Sequence, residues 1–226
     1  MRFVFLTLLV SFIFSIKHGN AQDHAAFLKE CFELYQAESY KIKLKYSIYN
    51  GKSDAPVSKE ILILKKGKNY LTKDSYNQVL LSDKYKLMMN KSFKTISIGY
   101  REQEEFNAPS LQGLNLDSII GKGTQIKCIS KNGAIHFYQI VNKEMPDLKT
   151  DIYIDTEKKK IDKVIYHSND KENTGYSMIV INFTETDFSP KFRKNEFDVS
   201  QYAVKKNNKW VAADDYAGYR IIGSWY

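Results

Sequence analysis

The sequence predicts a mainly β protein with an N-terminal helix, its strands forming a curved antiparallel sheet or incomplete β-barrel with helices on the concave face. Three observations predict it. One early stretch, residues 24–37, repeats its apolar residues at helical spacing. From Tyr40 onward the period switches to two. Turn residues then recur every few positions, and all four prolines fall between the predicted strands. A sheet of about ten short strands has to curl or close, so its helices are expected to cover the hollow face.

The chain begins with basic Met1-Arg2, an apolar run from Phe3 to Ile16 and a polar Lys17–Ala21 segment with small residues at Gly19 and Ala21. These are the three regions of a secretory signal peptide, which sets residues 1–21 as the peptide and the cleavage between Ala21 and Gln22. The apolar run falls short of the about 20 residues that span a bilayer. No Cys stands at the cleavage site to carry a lipid, and no later stretch is long enough to cross. An exported, soluble chain is expected, with the periplasm as its first location and the extracellular space as the second. Residues 22–199 are expected to form one half-barrel domain, and 200–226 a C-terminal aromatic tail.

The elements follow in order. Phe27, Leu28, Cys31, Leu34 and Tyr35 lie on one face of a helix, with Lys29, Glu30 and Glu33 elsewhere on the wheel. Tyr40, Ile42, Leu44, Tyr46 and Ile48 alternate with Lys41, Lys43, Lys45 and Ser47, a strand with one apolar and one cationic face. Ile61–Leu64 is an apolar strand that turns at Lys66-Gly67-Lys68 into Tyr70-Leu71. Val79–Leu81 and Tyr85–Met89 pair around Ser82-Asp83-Lys84, and Phe93–Tyr100 follows another turn. Residues 101–123 break the rhythm and suit short helical turns. Gln125–Ile129 and Ile135–Val141 flank Asn132-Gly133, the strongest short hairpin signal in the chain. Asp151–Asp155 and Ile161–His167 flank the run Lys158-Lys159-Lys160. Tyr176–Thr184 closes the sheet, and Tyr219–Ile222 could pair at an edge.

The formal charge of +8 loses Arg2 and Lys17 with the signal and stays positive. Such a balance favours anionic neighbours, an anionic lipid surface among them; nucleic acid is not expected as a partner of an exported chain. In an oxidising compartment the even pair Cys31 and Cys128 favours a disulfide, with two separate buried thiols as the alternative. A bridge closing so long a loop contributes about 4–5 kcal/mol in the chain-entropy picture. No catalytic motif survives inspection. Gly121-Lys122-Gly123-Thr124 lacks the spacing of a phosphate loop, and Ser168-Asn169-Asp170-Lys171 lacks the partners of a Ser-x-x-Lys enzyme. His24, His136 and His167 stand apart from any ligand cluster, and Asp214-Asp215 and Glu104-Glu105 read as solvated pairs. No enzyme, no metal and no cofactor is expected. Tyr40, Tyr46, Tyr70, Tyr76 and Tyr85 suit strand packing and ligand rims alike.

The helix Ala25–Ala37, the alternating strand Tyr40–Tyr49, the hairpins of Val79–Lys91 up to Ile98, the hairpin Asp151–Asp155 with Ile161–Tyr166, and the strand Ile179–Phe183 with Phe197 follow one order. Over residues 25–199 that order resembles the LolA-like family of periplasmic lipoprotein carriers, in which an N-terminal helix precedes an incomplete antiparallel barrel. The resemblance implies a hydrophobic cavity that shields acyl chains. Carriers of this type use an arginine on an inward strand, and strands one to four hold none here; Arg101 follows the fifth. Two functions are weighed. The first is a non-enzymatic carrier or sensor binding an apolar or acylated ligand with Phe27, Leu34, Tyr40, Ile42, Leu44, Tyr46, Ile61 and Ile63. The second is an interaction subunit of an envelope or secretion assembly, meeting a protein partner through sheet edges and the tail from Trp210.

Overall fold

The computed structural model describes residues 23–50, 55–101, 123–169 and 175–225. The signal peptide, its Ala21/Gln22 cleavage point, Glu104-Glu105, Gly121-Lys122, Asp170-Lys171 and nearly all of the expected insertion 101–123 lie outside them. Among the described residues, 23–33 form the one α-helix, α1. The strands are β1 (Ser39–Tyr49), β2 (Val57–Lys66), β3 (Asn69–Lys73), β4 (Asn77–Leu81), β5 (Tyr85–Asn90), β6 (Thr95–Tyr100), β7 (Thr124–Asn132), β8 (Ile135–Asn142), β9 (Met145–Asp155), β10 (Lys160–Ser168), β11 (Met178–Asp187), β12 (Ala203–Lys206), β13 (Lys209–Ala212) and β14 (Arg220–Trp225). Hydrogen bonding orders twelve of them β14-β6-β5-β4-β3-β2-β1-β11-β10-β9-β8-β7, and β12-β13 is a separate hairpin. The ends of that order, β14 and β7, do not pair with each other, so the sheet is not closed into a barrel.

The chain forms two compact units. The first holds the described residues that fall within 1–34, 49–54 and 114–179. Here α1 buries Leu28, Cys31 and Phe32, spaced by three and four as an amphipathic helix requires. Its Phe27 and His24 rings meet the Tyr138 ring of β8 at 6.1 and 5.5 Å, and Glu30 takes an ion pair from Lys159 in the β9–β10 turn at 2.5 Å. Tyr138, Ile140, Ile152, Ile154, Ile161 and Val164 supply the buried strand face. Gly133 turns between β7 and β8 at φ +57°, the left-handed geometry that the Asn132-Gly133 pair predicts. Two expectations are corrected. Pro146 lies inside β9, one residue from its start, where a strand tolerates proline. Cys31 and Cys128 are both free thiols; the ladder shifts register between Cys128 and Ser130, and the Cys128 Sγ faces the Ser130 carbonyl at 3.8 Å.

The second unit comprises residues 35–48, 55–113 and 180–226. Strands β2 to β6 form an antiparallel meander through four consecutive hairpins. The alternation of β1 holds through buried Tyr40, Ile42 and Leu44 and then changes phase: Ser47 is buried, its hydroxyl 2.7 Å from that of Ser58. On the cationic face Lys41 and Lys43 both reach Glu185 of β11 at 2.5 Å. Leu71, Leu80, Leu87, Met89, Ile96 and Ile98 form a core against which Val199, Tyr202 and Ala203 are buried. Phe197, Trp210, Tyr216 and Ile221 pack on the same cluster. The residues set apart as a tail therefore build this core. The sheet also departs from the expected antiparallel pattern, since β14 pairs with β6 in parallel.

Candidate functional site

One end of the second unit's meander carries two turns, and the C-terminal segment stands beside them. Between β2 and β3, Gly67 adopts φ +57°, which only a residue free of Cβ strain holds cheaply, and its N–H donates to the Glu38 carbonyl at 2.6 Å. Between β4 and β5, the Ser82 N–H and hydroxyl both donate to the Tyr85 carbonyl, and the Tyr85 N–H returns a bond to the hydroxyl at 3.0 Å. Arg101 joins these turns. Its guanidinium donates to the Lys68 carbonyl at 2.7 Å and to the Ser82 carbonyl at 3.0 Å, while its backbone N–H donates to the Lys84 carbonyl at 3.0 Å. Both side-chain bonds leave the same Nη1, whose two N–H groups serve one carbonyl each.

The opposite wall is the segment from Arg193 to Trp210. Asp198 caps its short helical turn, the carboxylate accepting from the Ser200 N–H at 2.8 Å. The β12–β13 hairpin turns through Asn207 and Asn208, both left-handed, and sets Lys205 opposite Trp210. The Trp210 ring meets Tyr85 edge-on at 5.2 Å, and Tyr85 leans on Tyr100 at 5.4 Å. Lys205 lies 5.4 Å over the Trp210 ring, and Lys84 lies 5.4 Å over Tyr85.

These walls enclose a depression of about 1000 Å³. Six cations line it: Lys66, Lys68, Lys84, Arg193, Lys194 and Lys205. Three acids, Glu38, Asp83 and Asp198, oppose them, and one of these is engaged as a helix cap. Among the described residues, Lys66, Lys84, Arg193, Lys194 and Lys205 form no ion pair with an acidic side chain. The depression is thus a cationic field around an aromatic floor made of Tyr85, Trp210 and Phe197. Cations held over rings are partly desolvated and aimed, which suits them to an anionic group.

The residues read from the sequence as ligand contacts stand elsewhere. Tyr40, Ile42, Leu44 and Ile63 are buried, and Tyr46 and Ile61 are half-buried in the second unit. Ile42 faces Ile63 and Leu44 faces Ile61 across β1 and β2. Burial pushes the Tyr40 phenol up to about 12, so it stays neutral. Phe27 and Leu34 are half-buried in the first unit. None of the eight lines the depression. Arg101 was noted in the sequence only as lying after the fifth strand, and the Arg193–Lys205 wall was not singled out; the available signal was the pair of lysine-bearing turns at residues 66–68 and 82–84.

A second polar cluster lies in the first unit. Asp151 is buried, and its carboxylate meets His167 Nε2 at 2.7 Å, Gln139 Nε2 at 3.2 Å and Lys149 Nζ at 3.5 Å. These three partners satisfy the buried acid. Among the described residues no group of three or more His, Cys, Asp or Glu is placed to hold a metal ion.

No family model matches the sequence, and no curated protein is similar to it. Several solved structures are similar. The MucA/MucB complex of Pseudomonas aeruginosa gives a TM-score of 0.46 at 10% identity, covering 78% of this chain and 61% of that one. A conserved protein of Thermus thermophilus gives 0.46 at 5% identity, with 77% and 92% covered. A LolA superfamily protein from Nitrosomonas europaea gives 0.35 at 8% identity, with 78% and 96% covered. This chain thus spans about three fifths of the MucA/MucB chain it matches. The family named from the sequence is thus among the similar structures, at a TM-score of 0.35.

Proposed function

We propose that this chain is an exported, non-enzymatic binding protein of the cell envelope that takes an acylated or otherwise apolar ligand by its anionic end, in the depression of the second unit. The observation that carries the reading is the meeting of Lys66, Lys84, Arg193, Lys194 and Lys205, none ion-paired among the described residues, around the Tyr85–Trp210 pair. The cations would hold a phosphate or carboxylate, and the rings would take the first part of an apolar stem. Tyr40, Ile42, Leu44, Tyr46, Ile61 and Ile63 of the same unit belong to this reading as apolar surface that a longer acyl chain would have to reach by displacing core contacts.

Dodecyl phosphate and uncharged dodecyl maltoside, titrated into the full chain with Trp210 emission as the readout, test the proposal. The phosphate should bind more tightly, and the combined Lys84→Glu and Lys205→Glu variant should lose about 1.4 kcal/mol, tenfold in affinity. Raised salt should weaken binding, because exposed charges are screened within about 10 Å at 0.1 M. Equal binding of the two amphiphiles, or a charge-reversed variant that binds like the parent, would sink the idea.

A further inference from the structure

The other end of the second unit's meander carries a different surface. The β3–β4 turn, Asp74-Ser75-Tyr76, and the β5–β6 turn, Lys91–Lys94, are neighbours because Asn77 pairs with Asn90. Each projects an aromatic ring into solvent: Tyr76 is 62% exposed and Phe93 79%. A folded chain gains nothing by holding a phenylalanine so far into water, and exposed aromatics grouped in this way mark contact surfaces.

The backbone beneath them is pinned. The Asp74 carboxylate accepts from the N–H groups of Tyr76 and Asn77 at 2.8 and 2.7 Å, and the Asn90 side-chain oxygen accepts from the Phe93 N–H at 2.9 Å. The turns are also tied to each other: the Lys91 N–H donates to the Tyr76 carbonyl at 2.7 Å, and the Lys91 ammonium to the Asp74 carbonyl at 2.9 Å. The two rings are therefore presented on one platform. Lys73 and Lys94 flank it, and Arg220 joins through its N–H bond to the Lys94 carbonyl at 2.9 Å. Asp74, the one acid in the two turns, already faces Lys59 at 3.6 Å.

We infer that this end of the unit docks on an anionic lipid bilayer, with Phe93 and Tyr76 entering the interface and Lys73, Lys94 and Arg220 meeting the headgroups. The charge and the chemistry of the tips select this occupant. Tyrosine is an interfacial aromatic with an apolar body and a polar end, phenylalanine adds apolar area, and each cation near an anionic surface adds to the attraction. The inference does not depend on the depression at the opposite end of the meander.

Flotation of the full chain with vesicles tests it. Phosphatidylglycerol–phosphatidylethanolamine vesicles should carry the protein, and phosphatidylcholine vesicles should carry far less. The combined Tyr76→Ser and Phe93→Ser variant should keep its melting curve, since both rings are exposed, and should bind about tenfold more weakly or worse, as loss of one inserted aromatic implies. In Phe93→Trp the added emission should shift to the blue with vesicles and be quenched by brominated acyl chains. The Lys84→Gln and Lys205→Gln variant should keep vesicle binding while losing dodecyl phosphate, which separates this surface from the depression. Absence of binding to anionic vesicles, serine variants that bind like the parent, or an introduced indole that stays in water would each overturn the inference. So would capture of an acidic protein by the same tips in place of vesicles.

Discussion

The guanidinium of Arg101 reaches the Lys68 and Ser82 carbonyls at once, so the spacing of the two cationic turns depends on one side chain. A hydrogen bond from a charged donor is worth about 1.5–3 kcal/mol. Arg101→Met, which keeps the apolar stem and removes the donors, should therefore cost about 2 kcal/mol in urea unfolding and weaken dodecyl phosphate binding, with little change in circular dichroism. Cys31 supplies a second residue-scale prediction. Burial pushes its thiol up to about 11, Glu30 adds to the shift, and Lys159 opposes it. Only the thiolate reacts. A reduced, native chain at pH 8 should show one accessible thiol, Cys128, and release the second only in denaturant. An unreduced chain that releases no thiol even in denaturant would instead show that the Cys31–Cys128 bridge forms on oxidation.

At the scale of the element, local pattern carried most of the information. Alternation located β1, turn residues located the β2–β3, β4–β5 and β7–β8 hairpins, and the spacing of Leu28 and Cys31 located α1. Each of these signals spans fewer than about a dozen residues, which is the range over which periodicity reports structure. The phase change at Ser47 and the parallel pairing of β14 with β6 were not legible, because each is decided by a partner remote in sequence. The depression was hidden for the same reason. Its lysine turns were visible singly, but the wall from Arg193 to Trp210 meets them only through the tertiary fold. The eight apolar residues chosen as ligand contacts obeyed the more general rule that regular apolar faces become core. The Gly67 turn offers a clean element-scale test. Its φ of +57° strains any Cβ, although nothing stands within 4 Å of one. Gly67→Ala should cost about 1 kcal/mol of stability through backbone strain alone, measured by chemical denaturation.

At the scale of the whole molecule, both units are assembled from separated stretches of chain. The first takes α1 from the start and its strands from residues 114–179. The second is begun by residues 35–48, continued by 55–113 and finished by 180–226. Charge predicted a basic molecule and periodicity a β-rich one, but neither carried a trace of this interleaving. A signal spread over more than a hundred residues leaves no local mark.

The neighbour that completes β1 is β11, and the Thr184 hydroxyl donates to the Lys43 carbonyl across 141 positions of chain. This has a meaning in time as well as in space. At about 5–20 residues per second of synthesis, β11 emerges on the order of ten seconds after β1. Throughout that interval one side of β1 has unsatisfied amides and no native strand to meet them. Contacts of such long range also close slowly once both partners exist. The hazardous stage for this fold is therefore its own manufacture, when the lysines of β1 are the one feature already in place to discourage a wrong strand from pairing there.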